Sequence, residues 1–220
     1  MVNNFEKITT DYSSQFEIHG VSSASMLMPK GRHSARFDVV AKYIEQFQNP
    51  SVLDYGCGLG FLHAYLTENK IQHQYTGVDI VPDFIKSCRE RFVPPAVFQQ
   101  IHPEDQITDS YDFVYASGVF NLRSADDDDV SFSYVRARLL ELFKITKQVM
   151  IVDFLSPDVD FRQDGAQHID YRTVLDWLIP DNSRRWVLRH DYLPYEYSIV
   201  VFKDDEIIRP ENTFRESRER

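Results

Sequence analysis

An apolar run that ends in an acid and three alternating glycines, Val52-Leu53-Asp54-Tyr55-Gly56-Cys57-Gly58-Leu59-Gly60, carries the most legible chemistry in this chain. Ser51-Val52-Leu53 is short, β-branched and apolar, as a buried parallel strand requires, and Asn49-Pro50 marks the loop that feeds it. Phe61 to Thr67 then shows helical spacing. Glycines between a strand and a helix let the backbone turn tightly and let a ligand come closer than any Cβ would allow. The arrangement reads as a nucleotide-type site. Its spacing is Gly-x-Gly-x-Gly, not the Gly-x-Gly-x-x-Gly whose helix N-terminus receives a pyrophosphate, and no Gly-Lys-Ser/Thr follows to make a P-loop. Asp54, just before the glycines, is expected at the mouth of the loop, where it repels a pyrophosphate and pairs with an amino group. A cationic ligand is expected. Gln74 to Ile80 is a second apolar strand ending in an acid, and Asp79 follows the glycines by the roughly twenty residues typical of a ribose-binding carboxylate. The competing role for Asp79 is to cap the helix that begins near Pro82.

In the glycine motif (Leu53 to Gly60) and the second-strand acid (Asp79), the chain resembles the class I S-adenosylmethionine-dependent methyltransferases, and its strand-helix order is similar from about Asn49 to Lys203. The resemblance implies S-adenosyl-L-methionine as cofactor. It implies that Asp54, Tyr55, Gly56, Cys57, Gly58 and Gly60 hold the methionine part, Asp79 the ribose and Ile80 the adenine face. Gln100 and Ile101 then lie near the adenine edge, although family members often carry an Asp near Gln100, and Ser117 and Gly118 close the ring at the end of the fourth strand. Arg36 reads either as a ligand for the donor's carboxylate or an acidic acceptor, or as a solvated helix arginine. Candidates for a general base are Tyr12, His19, His33, His168 and Tyr171, with His19 and His168 favoured because the N-terminal cap and the region after strand five commonly border the acceptor pocket in this family. Any one of them alone also reads as a surface or packing residue.

These residues need a scaffold, and the periodicity supplies one. Apolar positions Phe37, Val40, Ala41, Ile44 and Phe47 predict a helix from His33 to Phe47 with Ser34 as N-cap. Further helices are expected over 81–92, 131–146 and 171–178, and strands over 96–100, 111–118, 148–154, 186–192 and 196–202. The link Leu193-Pro194-Tyr195 is too short for a parallel crossover. The fold class is therefore α/β: a doubly wound, mostly parallel seven-stranded sheet with an antiparallel C-terminal edge hairpin and helices on both faces. Residues 1–32 read as a cap segment, 33–204 as the Rossmann-like domain and 205–220 as a charged tail.

Composition narrows the function. With 220 residues, 43% hydrophobic and 26% charged, the chain has ordinary globular composition and one domain is expected. Cys57 and Cys88 show no metal or disulfide spacing, which fits a reducing cytoplasm. No apolar run is long enough to span a bilayer, so no membrane is expected as partner. The net charge of -10 argues against broad phosphate-backbone contact, although Lys30, Arg32 and Arg36 or Arg184, Arg185 and Arg189 could form local patches. Ser117-Gly118-Val119-Phe120-Asn121 lacks the Asn/Asp-Pro-Pro-aromatic grip on a flipped adenine, and no Pro-Cys follows strand four, so DNA is not the expected substrate. The run Asp126 to Asp129 invites a divalent ion, but reads better as a solvated entry to the next helix, and no metal is expected. The expected activity is methyl transfer to an oxygen or nitrogen of a small molecule: a sugar, nucleotide-linked or phosphorylated metabolite of a biosynthetic cluster. The alternatives are an RNA or protein methyltransferase, or a binding protein without turnover. The oligomeric state stays open, a homodimer being one option.

Overall fold

The computed structural model describes residues 4–28, 31–179 and 183–203. Strands β1 (Ser51–Tyr55), β2 (Gln74–Asp79), β3 (Val97–Gln100), β4 (Tyr111–Ser117), β5 (Thr146–Leu155), β6 (Trp186–Leu193) and β7 (Glu196–Phe202) form one sheet in the order β3-β2-β1-β4-β5-β7-β6. β1 to β5 pair in parallel, and β7 runs antiparallel to both β5 and β6. This is the expected sheet, down to the edge hairpin that the short link after Leu193 imposes. β1 lies between β2 and β4, so the connections leave it in opposite directions and open a crevice at the carboxyl ends of the strands.

Helices α2 (Arg32–Ile44), α3 (Phe61–Glu68) and α4 (Pro82–Arg91) cover one face, and α5 (Asp128–Ile145) and α6 (Tyr171–Leu178) the other. Successive strand residues point to opposite faces. Val52, Phe113, Tyr115 and Ile151 therefore pack with Val40, Ile44, Leu62 and Ile85, while Leu53, Val114, Met150 and Val152 pack with Val135, Leu139 and Val174. Burial on both faces explains why the central strands read as continuous apolar runs. Fully buried side chains such as Leu53 and Leu139 each contribute about 1.5–3 kcal/mol.

Helix boundaries depart from the sequence reading where local hydrogen bonds decide. α2 is capped by Gly31, not Ser34, whose hydroxyl donates to the Gly31 carbonyl at 2.9 Å and so does not receive a backbone N–H. It stops at Ile44, and Phe47 beyond it still meets Phe113 edge-on at 5.0 Å. α5 starts at Asp128 because the Asp127 carboxylate accepts the N–H groups of Asp129 and Val130 at 2.9 and 3.1 Å.

The largest departure is at the N-terminus, where the cap segment holds α1 (Phe5–His19) and a 3₁₀ turn over Ser23–Met26. Phe5, Ile8, Tyr12 and Phe16 do recur at helical spacing, but Thr9-Thr10 and Ser13-Ser14 between them are weak helix formers. No residue of α1 is fully buried. Tertiary anchors hold it: the Asn4 N–H donates to Ser124 O at 3.0 Å, Phe5 packs edge-on against Tyr134, Ser13 donates to Asp83 at 2.7 Å, and Tyr12 and Phe16 abut Phe84. α1 thus bridges from the loop after β4 to α4, across the crevice. Lys30 and the charged tail 205–220 lie outside the described residues. No described helix is long and apolar enough to cross a membrane.

Candidate functional site

The glycine loop leaves β1 by folding over β2. Gly56 and Cys57 both donate to the Val78 carbonyl, at 2.8 and 3.0 Å. Gly56 and Gly58 have φ of 79° and 53°, in the left-handed region that side chains disfavour. Their missing Cβ atoms matter as much as their dihedrals. A Cβ on Gly56 would stand 2.2 Å from Val119 Cγ2, and one on Gly58 2.4 Å from Met26 Cε, so the loop is clasped between the turn after β4 and the N-terminal segment. Gly60 does a different job, packing inward against Phe92, Phe98 and Cys88.

Asp79 joins this loop to the next helix. Its Oδ2 accepts the Gly58 N–H at 2.8 Å and its Oδ1 the Val81 N–H at 2.9 Å. Burial pushes its pKa up to about 6, against the pull of the backbone N–H groups of Val81, Gly58 and Ile80. Both roles considered for Asp79 are therefore compatible: it holds the start of α4 and also lines the cavity.

That cavity, of about 530 Å³, sits at the carboxyl ends of β1, β2 and β4. Tyr55, Gly56, Gly58, Asp79, Ile80, Ile101, Ser117 and Gly118 line its floor, and Phe5, Ile8 and Tyr12 of α1 line it from the N-terminal cap. A buried ion pair closes one end. Arg36 Nε donates to Glu196 Oε2 at 2.6 Å and Nη1 to Ser117 Oγ at 3.1 Å, while Arg32 Nη1 reaches Glu196 Oε1 at 3.2 Å. Burial opposes the Arg36 charge, but the hydrogen bond and charge of Glu196, with Asp153, outweigh it and raise its pKa. Arg36 is 3% exposed, which removes the solvated-arginine reading.

Four of the residues assigned to the donor do not reach this cavity. Asp54 takes a 2.5 Å hydrogen bond from Tyr75, and burial pushes its pKa up to about 7, so its carboxylate is a core group and not one at the loop mouth. Cys57 and Gly60 are buried behind the loop, and Gln100 is exposed at the end of β3, where the alternation of the strand turns it away from the cavity. Among the candidate bases only Tyr12 lines the cavity, and burial, then Asp79, push its pKa up to about 12. His19 is exposed in the last turn of α1, because α1 ends past the crevice. His33 is neutral, its pKa lowered to about 4 by burial and then by Arg36, and it stacks on Phe37. Tyr171 packs edge-on against Tyr197 on the α6 side. His168 lines a separate pocket. Glu196, Arg32, Phe5, Ile8 and Met26 were missed. The available signals were an acid opening an otherwise apolar β7 and an arginine at the apolar spacing of Val40 and Ile44.

Asp127 is spent on capping α5, and Asp128 pairs with Arg123 at 3.1 Å. Among the described residues no group of three or more His, Cys, Asp or Glu side chains could hold a metal ion.

The comparisons with known proteins agree with this architecture. A methyltransferase domain family matches residues 52–141, from β1 into α5. Rv1506c of Mycobacterium tuberculosis, described as a methyltransferase, is 29% identical over 155 residues, covering 70% of this chain and 93% of its own. Two solved structures share the fold. Magnesium protoporphyrin IX methyltransferase from Synechocystis PCC 6803 with bound SAM superposes with a TM-score of 0.66 at 14% identity, over 92% of this chain and 98% of its own. The DhpI complex with SAH gives 0.69 at 12% identity, over 93% and 98%. The glycine loop and the Asp79 carboxylate share one crevice within the matched region, and together with these similarities they indicate a class I S-adenosylmethionine-dependent methyltransferase.

Proposed function

We propose that the enzyme methylates an oxygen or nitrogen atom of a small molecule that enters the cavity beneath α1. The observation that carries this reading is the roof itself. α1 is tethered at its N-terminal end to Ser124 and midway, through Ser13, to Asp83, and turns the crevice into a cavity of the size that takes a small ligand beside a cofactor rather than a surface that tracks a macromolecule. The basic patches considered for nucleic acid support it too, since Arg32 and Arg36 converge on Glu196 and Arg189 pairs with Asp191.

The bound donor supplies a methyl group on a positively charged sulfur, transferred by in-line displacement. In this reading Asp79 receives the ribose hydroxyls, Ile80 and Ile101 flank the adenine, and Gly56, Gly58, Ser117 and Gly118 let the backbone approach the methionine part. Arg36, oriented by Glu196 and Ser117, binds the donor's carboxylate. Among the described residues no histidine lines the cavity, and Tyr12 stays protonated at neutral pH. The chain's contribution is then alignment of acceptor and donor, with the acceptor proton leaving to water.

Radiolabelled methyl transfer into a fractionated cell extract tests the acceptor class: label is expected in the small-molecule fraction, and label confined to protein or RNA would sink the reading. Gly58→Val should cost at least about 100-fold in affinity for S-adenosylhomocysteine by calorimetry, because the new side chain meets Met26 and is strained at φ 53°. Unchanged affinity would mean the loop does not approach the ligand.

Donor binding should also depend on pH through Asp79. Its folded pKa lies above the ordinary 3.8, at about 6, so folding takes up a proton between those values and the ionised form is a net cost to stability above them. Ligand binding runs the opposite way, since an ionised carboxylate is needed to accept both ribose hydroxyls. Affinity for S-adenosylhomocysteine should fall by roughly tenfold per pH unit below about 6 and be flat above it, and Asp79→Asn should abolish the slope. A slope surviving in that variant would assign the titration elsewhere.

A further inference from the structure

Beside the main cavity lies a second pocket of about 240 Å³, walled by Arg123, Asp128, Arg162, Asp164, Gln167 and His168. Gln163 and Ala166 line both spaces, so only a thin strip of chain separates them. The strip is well defined: Leu122 bridges Ala166, the Arg123 N–H donates to Gly165 O at 3.1 Å, and the Gln167 N–H donates to Asn121 O at 2.8 Å.

The polar groups of this pocket are balanced. Two guanidinium groups stand with two carboxylates, and Arg123 is already paired with Asp128. A phosphate or carboxylate site needs an excess of cationic donors, which is missing here. His168 Nδ1 lies 2.7 Å from the Ser156 carbonyl, so it carries the proton and leaves Nε2 as an acceptor. That Nε2 is buried and has no hydrogen-bond partner. Such an orphan is uncommon enough to need an explanation. The Gln167 side chain is held by Ser131 and by the Phe120 carbonyl, and Phe132 adds an apolar ring to the wall. Mixed donors and acceptors without net charge, beside one ring, suit hydroxyl groups, each of which can donate once and accept twice.

We propose that this pocket is a subsite for a neutral, hydroxyl-rich ring, such as a sugar, carried by the methyl acceptor. It rests on the reading of the acceptor as a small molecule. The atom to be methylated lies in the main cavity, the polyol is anchored across Gln163 beside it, and His168 receives a hydroxyl proton as a hydrogen-bond acceptor, in a binding role rather than as the base.

The test uses the full chain with labelled S-adenosylmethionine and 4-hydroxyphenyl glycosides of glucose, galactose and rhamnose, compared with hydroquinone and 4-hydroxyphenyl phosphate. At least one glycoside should exceed hydroquinone in kcat/KM by about tenfold or more. That ratio should drop by about tenfold in His168→Phe, mostly through KM, and also in Arg162→Ala, whose exposed side chain can be removed without threatening the fold. Equal use of hydroquinone, preference for the phosphate, or a ratio unmoved by both variants overturns the subsite and leaves small-molecule methylation standing. Transfer to none of the probes also overturns it, while the extract experiment decides independently whether the acceptor is a small molecule.

Discussion

Asp79→Ala is expected to lose at least about 100-fold in affinity for S-adenosylhomocysteine, since it removes two charge-assisted hydrogen bonds of roughly 1.5–3 kcal/mol each. The same change strips acceptors from the N–H groups of Gly58 and Val81, at 2.8 and 2.9 Å, so the glycine loop and the start of α4 should both loosen. Stability should fall by about 1–3 kcal/mol for each buried donor left unmade, less whatever is regained by removing a buried carboxylate. Asp79→Asn separates the two effects. Its amide oxygen can keep one backbone bond, so thermal unfolding should recover more than donor affinity does. Calorimetry showing wild-type affinity in both variants would refute the donor site described above.

Glu196→Ala should be the most destabilising single change at the site. Arg36 is 3% exposed and Glu196 2%, and removing the carboxylate leaves the guanidinium buried with Ser117 as its remaining named partner. Breaking a buried pair in this way typically costs about 3–5 kcal/mol, much of it the penalty for an uncompensated charge. Replacing both partners with apolar groups of similar volume, Arg36→Met with Glu196→Met, should restore most of the loss in denaturant unfolding, because neither charge then needs solvation. Donor affinity should not return with it. The double variant would fold without the cation assigned to the donor's carboxylate, and stable protein that bound S-adenosylhomocysteine as tightly as wild type would remove Arg36 from the site.

The sequence was most legible where one residue's neighbours in the chain are also its physical environment. The glycine loop is such a place: strand, turn and helix follow one another, and Gly56 and Gly58 are needed locally for backbone φ as well as for close approach. Asp79 was legible for the same reason, standing at the end of an apolar strand at the distance beyond the glycines typical of a ribose-binding carboxylate. The central strands were recoverable because burial on both faces leaves a simple signature, and the edge hairpin because so short a link after Leu193 allows no parallel crossover.

Side-chain direction was what the chain order left open. Asp54 and Asp79 each end an apolar stretch with an acid, yet Tyr75 turns one into the core while two backbone N–H groups hold the other on the cavity wall. His19 and His168 lie in segments near the crevice, but the length of α1 carries the first past it and the strip at 165–167 puts the second in its own pocket. Arg36 and Glu196 are separated by most of the chain, and only the placement of β7 beside β5 brings them within 2.6 Å. Sequence alone determined the fold class and the glycine-acid cradle, because both rest on local periodicity and backbone geometry. Only the tertiary structure decided the roof, the buried ion pair and the partition of the crevice into two pockets, because those depend on contacts between residues that no spacing rule relates.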